Sequence, residues 1–135
     1  HRVLQKPGGP MLFGTLPQTQ KTVFALPGNP MSCLTCMHVY FKKWLAAHTG
    51  RNPIPGCDRM ISLGHAIAQH PEKTRFVPVQ CKDPQTENGE RMAEEVPMNT
   101  SGDVVQVVRS EGYVRIPPGD ESLPAGTLVE YNEWQ

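Results

Sequence analysis

The residues best placed to do chemistry sit in the first third of the chain. Leu26-Pro27-Gly28-Asn29-Pro30, with Ser32 two residues on, reads as a strand running into a glycine turn and then a helix N-terminus. Such a junction leaves backbone N–H groups aimed at one spot, and that spot attracts a phosphate or other oxyanion. Gly28 would let a ligand approach the backbone, and Ser32 would add a hydroxyl. The same spacing also describes a well-capped helix that binds nothing, with Asn29 as N-cap and Pro30 at the first helical position. A second feature is Lys6-Pro7-Gly8-Gly9-Pro10, where a rigid turn presents a lysine ammonium to an anion.

Other reactive residue types point elsewhere. Cys33 and Cys36 form a C-x-x-C with no second pair at metal-ligand spacing, and they fall inside a helical pattern. They read as buried or half-buried small side chains, and no metal site is expected. His38 projects to a different side of that helix. His65 and His70 read as solvated. Arg75, Arg109 and Arg115 would bind phosphate only by converging on one rim. Glu94-Glu95 and Asp120-Glu121 are adjacent pairs in expected loops, whose members point apart.

The elements that must position these residues follow from periodicity and punctuation. Lys21 to Leu26 is an apolar run of strand length. Leu34, Met37, Phe41, Trp44 and Leu45 recur at helical steps, and Gly50 and then Pro53 end the pattern. Beyond Pro55 short strands are expected at Met60–Leu63, Thr74–Val79, Asp103–Val108, Tyr113–Ile116 and Leu128–Tyr131, with an Asn88-Gly89 hairpin turn. Strands at such spacing predict a small barrel or sandwich. The chain thus divides near residues 51–57 into an αβ portion and an all-β portion. One helix with two or three strands leaves a sheet face uncovered, so upstream chain or a second copy is needed to complete the first portion.

Composition excludes several classes. Of the 135 residues, 13 are basic and 13 acidic, so no long-range field marks a nucleic-acid or anionic-membrane binder. No apolar run approaches the ~18 residues that span a bilayer. Fourteen prolines and 12 glycines punctuate many short elements. The four cysteines lack a disulfide-framework spacing, which favours a reduced, cytoplasmic compartment. The chain opens on a histidine and reads as cut from something longer.

The ordered set resembles the tail of the molybdopterin molybdenumtransferases, the family that includes the E domain of gephyrin. It comprises Lys6-Pro7-Gly8-Gly9-Pro10, Phe13-Gly14, Leu26-Pro27-Gly28-Asn29-Pro30-x-Ser32, Thr100-Ser101-Gly102-Asp103, Arg109-Ser110-Glu111-Gly112-Tyr113, Ile116-Pro117-Pro118-Gly119 and Leu123 to Val129. The likeness is weakest over residues 51–73 and 80–98. It implies an α+β chain: residues 1–53 as the strand–loop–helix remnant of a molybdopterin-binding α/β domain, and 54–135 as a small all-β barrel-like domain. It further implies a homodimeric enzyme that takes adenylylated molybdopterin and molybdate, needs magnesium held by residues upstream of this chain, and releases AMP. By motif position, Lys6, Arg75 and Ser101 become the catalytic set, and Pro27, Gly28, Asn29, Pro30 and Ser32 the pterin-binding loop. The family pattern has a second lysine where this chain has Gly9, so one expected oxyanion contact is missing. The fragment by itself is expected to be inactive. Three alternatives remain: a diverged molybdopterin- or molybdate-binding protein without catalysis, a scaffold module and, last, a redox role through Cys33 and Cys36.

Overall fold

A computed structural model describes residues 3–50, 59–82, 91–100 and 102–134. The Asn88-Gly89 turn, the division near 51–57, and Ser101 lie outside the described residues. The chain is α+β, as its pattern predicts. Its centre is a six-stranded sheet in the order β1 (Gln5–Lys6), β6 (Thr74–Lys82), β7 (Met92–Glu95), β4 (Arg59–Leu63), β10 (Leu128–Glu133), β8 (Gly112–Ile116). An additional β6–β8 pairing closes β6, β7, β4, β10 and β8 into a five-stranded barrel. Two small sheets accompany it: the hairpin β2 (Leu12–Leu16) with β3 (Lys21–Ala25), and the short pair β5 (Ile67–Ala68) with β9 (Ser122–Leu123).

Alternation fills the barrel. Ile61 and Leu63 of β4, Val77, Val79 and Cys81 of β6, Val114 and Ile116 of β8, and Val129 and Tyr131 of β10 form one buried cluster. Intervening residues such as Met60, Arg115 and Leu128 point to solvent. Each fully buried aliphatic side chain contributes about 1.5–3 kcal/mol.

The helical segment comprises α1 (Pro30–Cys36), a π-helical turn over Met37–Phe41, and α2 (Lys42–His48). It starts at Pro30 and closes with Gly50 at φ +65, both as the sequence predicts. Its deepest face is Met31, Ser32, Thr35 and Cys36, however, and not the predicted stripe. Phe41 and Trp44 from that stripe pack edge-on against Phe24 of the hairpin, each at 5.3 Å between ring centroids. Leu45 stays 39% exposed. The helix meets the barrel where the His38 ring abuts Trp134, whose indole N–H donates to Ser110 Oγ at 2.9 Å.

Two expectations need correction. The β-branched run after Asp103 is a helix, α3 (Val104–Arg109), and not a strand. Asp103 Oδ1 accepts the Gln106 N–H and caps it, and Val104, Val105 and Val108 are exposed. For exposed valines the strand preference, which is a packing preference, has little to act on, and the local cap decides. Glu94 and Glu95 lie in β7 and not in a loop, with their side chains directed to Lys82 and Arg75 respectively.

Candidate functional site

The strongest candidate is a cleft of about 340 Å³ lined by Lys6, Pro7, Met31, Arg75, Glu95 and Thr100, with Phe76 to Pro78 forming its floor. Its origin is topological. β1 pairs in parallel with the first two residues of β6 (Gln5 with Thr74, Lys6 with Arg75), and β7 pairs with the last four along the same edge. The stretch of β6 between them is left open except where Val96 N–H donates to Pro78 O at 2.9 Å.

Register partners on neighbouring strands project to the same face, so Lys6 and Arg75 stand side by side. Two like charges opposite each other destabilise a sheet unless an anion answers them. Part of that answer is internal. Arg75 donates to the Ala68 carbonyl and pairs with Glu95 at 3.4 Å, with both side chains partly exposed. An exposed pair of this kind is worth about 0–1 kcal/mol, little enough for a bound anion to compete with the carboxylate.

The predicted site residues therefore separate into groups. Lys6 and Arg75 share the cleft. Pro27 to Pro30 and Ser32 are not among its lining residues, although the chain leaving the loop contributes Met31 to the wall. Gly28 is exposed, and a Cβ placed on it would meet nothing within 4 Å. Asn29 takes the N-cap position without a side-chain capping bond, while its carbonyl accepts the Cys33 N–H at 2.9 Å. Ser32 is buried. Thr100, which precedes Ser101, lines the cleft. The three arginines do not converge, since Arg115 pairs with Glu130 in a separate crevice beneath Tyr40. His65 is exposed, and His70 Nδ1 accepts the Glu72 N–H.

Sequence reasoning missed Glu95 and Gln5. Alternation in Met92–Glu95 is the signal that would have sent Glu95 to the Arg75 face. Nothing in the spacing marks Gln5. Cys33 is half-buried and Cys36 fully buried, as read. Burial and the neighbouring Cys33 push the Cys36 thiol up, against a smaller opposing effect of its hydrogen bond with Gln5. Among the described residues no helix is long and apolar enough to cross a membrane.

Comparison with known proteins bears directly on this arrangement. The family model described as the MoeA C-terminal region (domain IV) matches residues 61–134, more than half of the chain. The chain belongs to that family. A MoeA protein from Pyrococcus horikosii superposes with a TM-score of 0.75 at 28% identity, covering 100% of this chain and 31% of that one. A molybdenum cofactor biosynthesis protein from Pyrococcus furiosus, at 22% identity and the same TM-score of 0.75, shares the fold over 98% of this chain and 44% of its own. Two curated relatives are named molybdopterin molybdenumtransferase. The one from Synechocystis sp. is 29% identical over 134 residues, and the one from Synechococcus elongatus 28% over 130. These matches take in 99% and 96% of this chain but 31% and 30% of the relatives, so the chain spans about a third of their length. The MoeA domain IV likeness accounts for the barrel. The matches to the longer relatives take in Lys6 and its turn as well.

Proposed function

We propose that this chain is the C-terminal portion of a molybdopterin molybdenumtransferase, in which Lys6 and Arg75 form the cationic wall that receives an anionic substrate. The observation that carries this reading is the register pairing of the two cations over an open cleft, in a chain similar to enzymes of that name. Adenylylated molybdopterin carries phosphate charge and molybdate is an oxyanion, so both match the wall. The chain's contribution is electrostatic: the ammonium and guanidinium hold oxygens in place and favour negative charge as it develops, in a partly desolvated cleft. Glu95 holds Arg75 until the substrate displaces it. Ser101, the next residue in sequence after Thr100, supplies a hydroxyl in this reading, and the Pro27–Pro30 loop with Ser32 binds the pterin end. The parent protein works in the cytoplasm as a homodimer.

Magnesium belongs to the reading only through the family resemblance. Among the described residues no group of three or more His, Cys, Asp or Glu side chains could hold a metal ion, so no step here runs through one. Gly9 in place of the family lysine favours a second reading, binding without turnover.

The test is molybdate binding by equilibrium dialysis at low ionic strength, with Lys6→Ala, Arg75→Ala and, as a control outside the cleft, Lys21→Ala. Each cleft substitution should weaken binding at least tenfold and Lys21→Ala should leave it within twofold. Equal affinity in all four proteins would contradict the assignment. Sedimentation of the intact parent as a monomer would contradict the dimer.

A further inference from the structure

Lys6 is useful to an anion only if its stem leaves the sheet in the right direction, and the residues that set that direction lie on the other face of β1. Successive strand residues point to opposite faces. Gln5 therefore turns inward as Lys6 turns out, and the residue is only 4% exposed. The Gln5 amide donates to Pro7 O at 3.0 Å and to Cys36 Sγ at 3.6 Å. Its carbonyl oxygen accepts the Tyr40 hydroxyl. The Cys36 thiol, wholly buried, donates in turn to Gly8 O at 3.6 Å. The residue before Lys6 and the two after it are thus all tied, directly or through Gln5, to two side chains one helical turn apart on the helical segment.

Gly8 shows how tightly the turn is seated. Its φ is +88, and a Cβ there would lie 2.6 Å from Cys36 Sγ and 2.8 Å from Gln5 Nε2. Both amide hydrogens of Gln5 and its carbonyl are used, so the network is satisfied, and a satisfied buried network is rigid. Neither Gln5, Cys36 nor Tyr40 lines the cleft.

We infer that Gln5, Cys36 and Tyr40 are positioning residues that fix the direction in which Lys6 projects into the cleft. This assigns a task to the second cysteine of the C-x-x-C that is neither metal binding nor redox chemistry. It rests on the reading of Lys6 given above, and the experiment separates the two.

The 135-residue chain would be prepared as wild type, Lys6→Ala, Cys36→Ala, Cys36→Ser and Tyr40→Phe. Molybdate affinity would be measured beside the NMR signals of the Gly8 amide and the Lys6 side chain without ligand. Cys36→Ala and Tyr40→Phe should weaken molybdate binding about fivefold while circular dichroism stays unchanged. Cys36→Ser, which keeps a donor for Gly8 O, should recover to within about twofold of wild type. A role confined to stability would lower the melting temperature and leave the affinity of the folded protein alone. If Lys6→Ala abolishes binding but Cys36→Ala and Tyr40→Phe bind as wild type, the positioning role is overturned and the cleft stands. If the wild type binds no molybdate, the cleft reading fails, and the signals decide the brace. Movement of Lys6 and Gly8 in Cys36→Ala, reversed in Cys36→Ser, upholds it, and unmoved signals overturn it. Should Cys36→Ala not fold, Tyr40→Phe, which removes one oxygen, carries the same comparison.

Discussion

Replacing Gly8 by alanine probes the Lys6 turn from the backbone side. The φ of +88 is a conformation that costs an L-residue about 1–2 kcal/mol. The added methyl would also sit 2.6 Å from Cys36 Sγ and 2.8 Å from Gln5 Nε2. Cysteine has a single rotatable side-chain bond and is fully buried here, so it has little room to swing away. Forcing one carbon into such a packed site costs about 1–3 kcal/mol. Gly8→Ala should therefore lose roughly 2–5 kcal/mol in urea unfolding. In a Cys36→Ala background the sulfur is gone and the Gln5 amide, no longer bonded to it, can shift into the space left, so chiefly the backbone strain remains and the same substitution should cost only about 1–2 kcal/mol. The double-mutant cycle should show about 1–3 kcal/mol of coupling. A loss below ~1 kcal/mol for Gly8→Ala would refute the strain argument, and additivity within ~0.5 kcal/mol would refute the contact.

Two other glycines should respond differently from each other. A Cβ on Gly112 would lie 2.3 Å from the Asn132 backbone oxygen inside the β8–β10 pairing, so Gly112→Ala should cost at least ~3 kcal/mol in urea unfolding. On Gly119 the obstacle is the Gln69 side chain, which can move at the expense of its bonds to the Pro117 and Pro118 carbonyls, so Gly119→Ala should cost about 1 kcal/mol. Burial first, and the nearby Lys42 charge second, push the His38 imidazole down to about 4 from an ordinary 6.5. The fold thus favours the neutral ring: its contribution is whole above pH 6.5 and is lost as pH falls towards 4. After solvent screening the loss is roughly 1 kcal/mol, and the stability difference between wild type and His38→Gln should change across that window. Alkylation resolved by peptide mass spectrometry should mark the half-buried Cys33 well before Cys36, whose thiol is pushed up by burial and wholly enclosed.

The parts of the fold that were legible are those where local and tertiary preferences agree. Val114 and Ile116, or Ile61 and Leu63, alternate with polar or exposed residues because one face meets the barrel core, and periodicity reports that directly. Pro30 and Gly50 mark the helix ends because their backbone constraints act locally. The run Val104-Val105-Gln106-Val107-Val108 misled because valine's strand preference is a packing preference, and three of these valines are exposed. The helix stripe was read from Leu34, Met37, Phe41, Trp44 and Leu45, yet the deepest face includes Ser32 and Cys36, which meet the turn at Gly8, and periodicity within the helix does not contain that turn. At the site, Lys6 and Arg75 could be named one at a time from the family resemblance. Their adjacency depends on a parallel pairing between residues 69 positions apart in the chain (Lys6 with Arg75), and Glu95's part in it on a further strand. Such long-range register has no local signature.

Whether the Lys6–Arg75 cleft serves molybdenum insertion is decided by a chimera. The matching third of the Synechocystis relative would be replaced by this chain and expressed in a bacterial strain lacking its own molybdenumtransferase, with nitrate reductase activity at low molybdate as the readout. Rescue is expected, lost on Lys6→Ala and on Arg75→Ala and kept on Lys21→Ala. Rescue that survives both cleft substitutions, or a soluble chimera that never rescues, would contradict that role of the cleft.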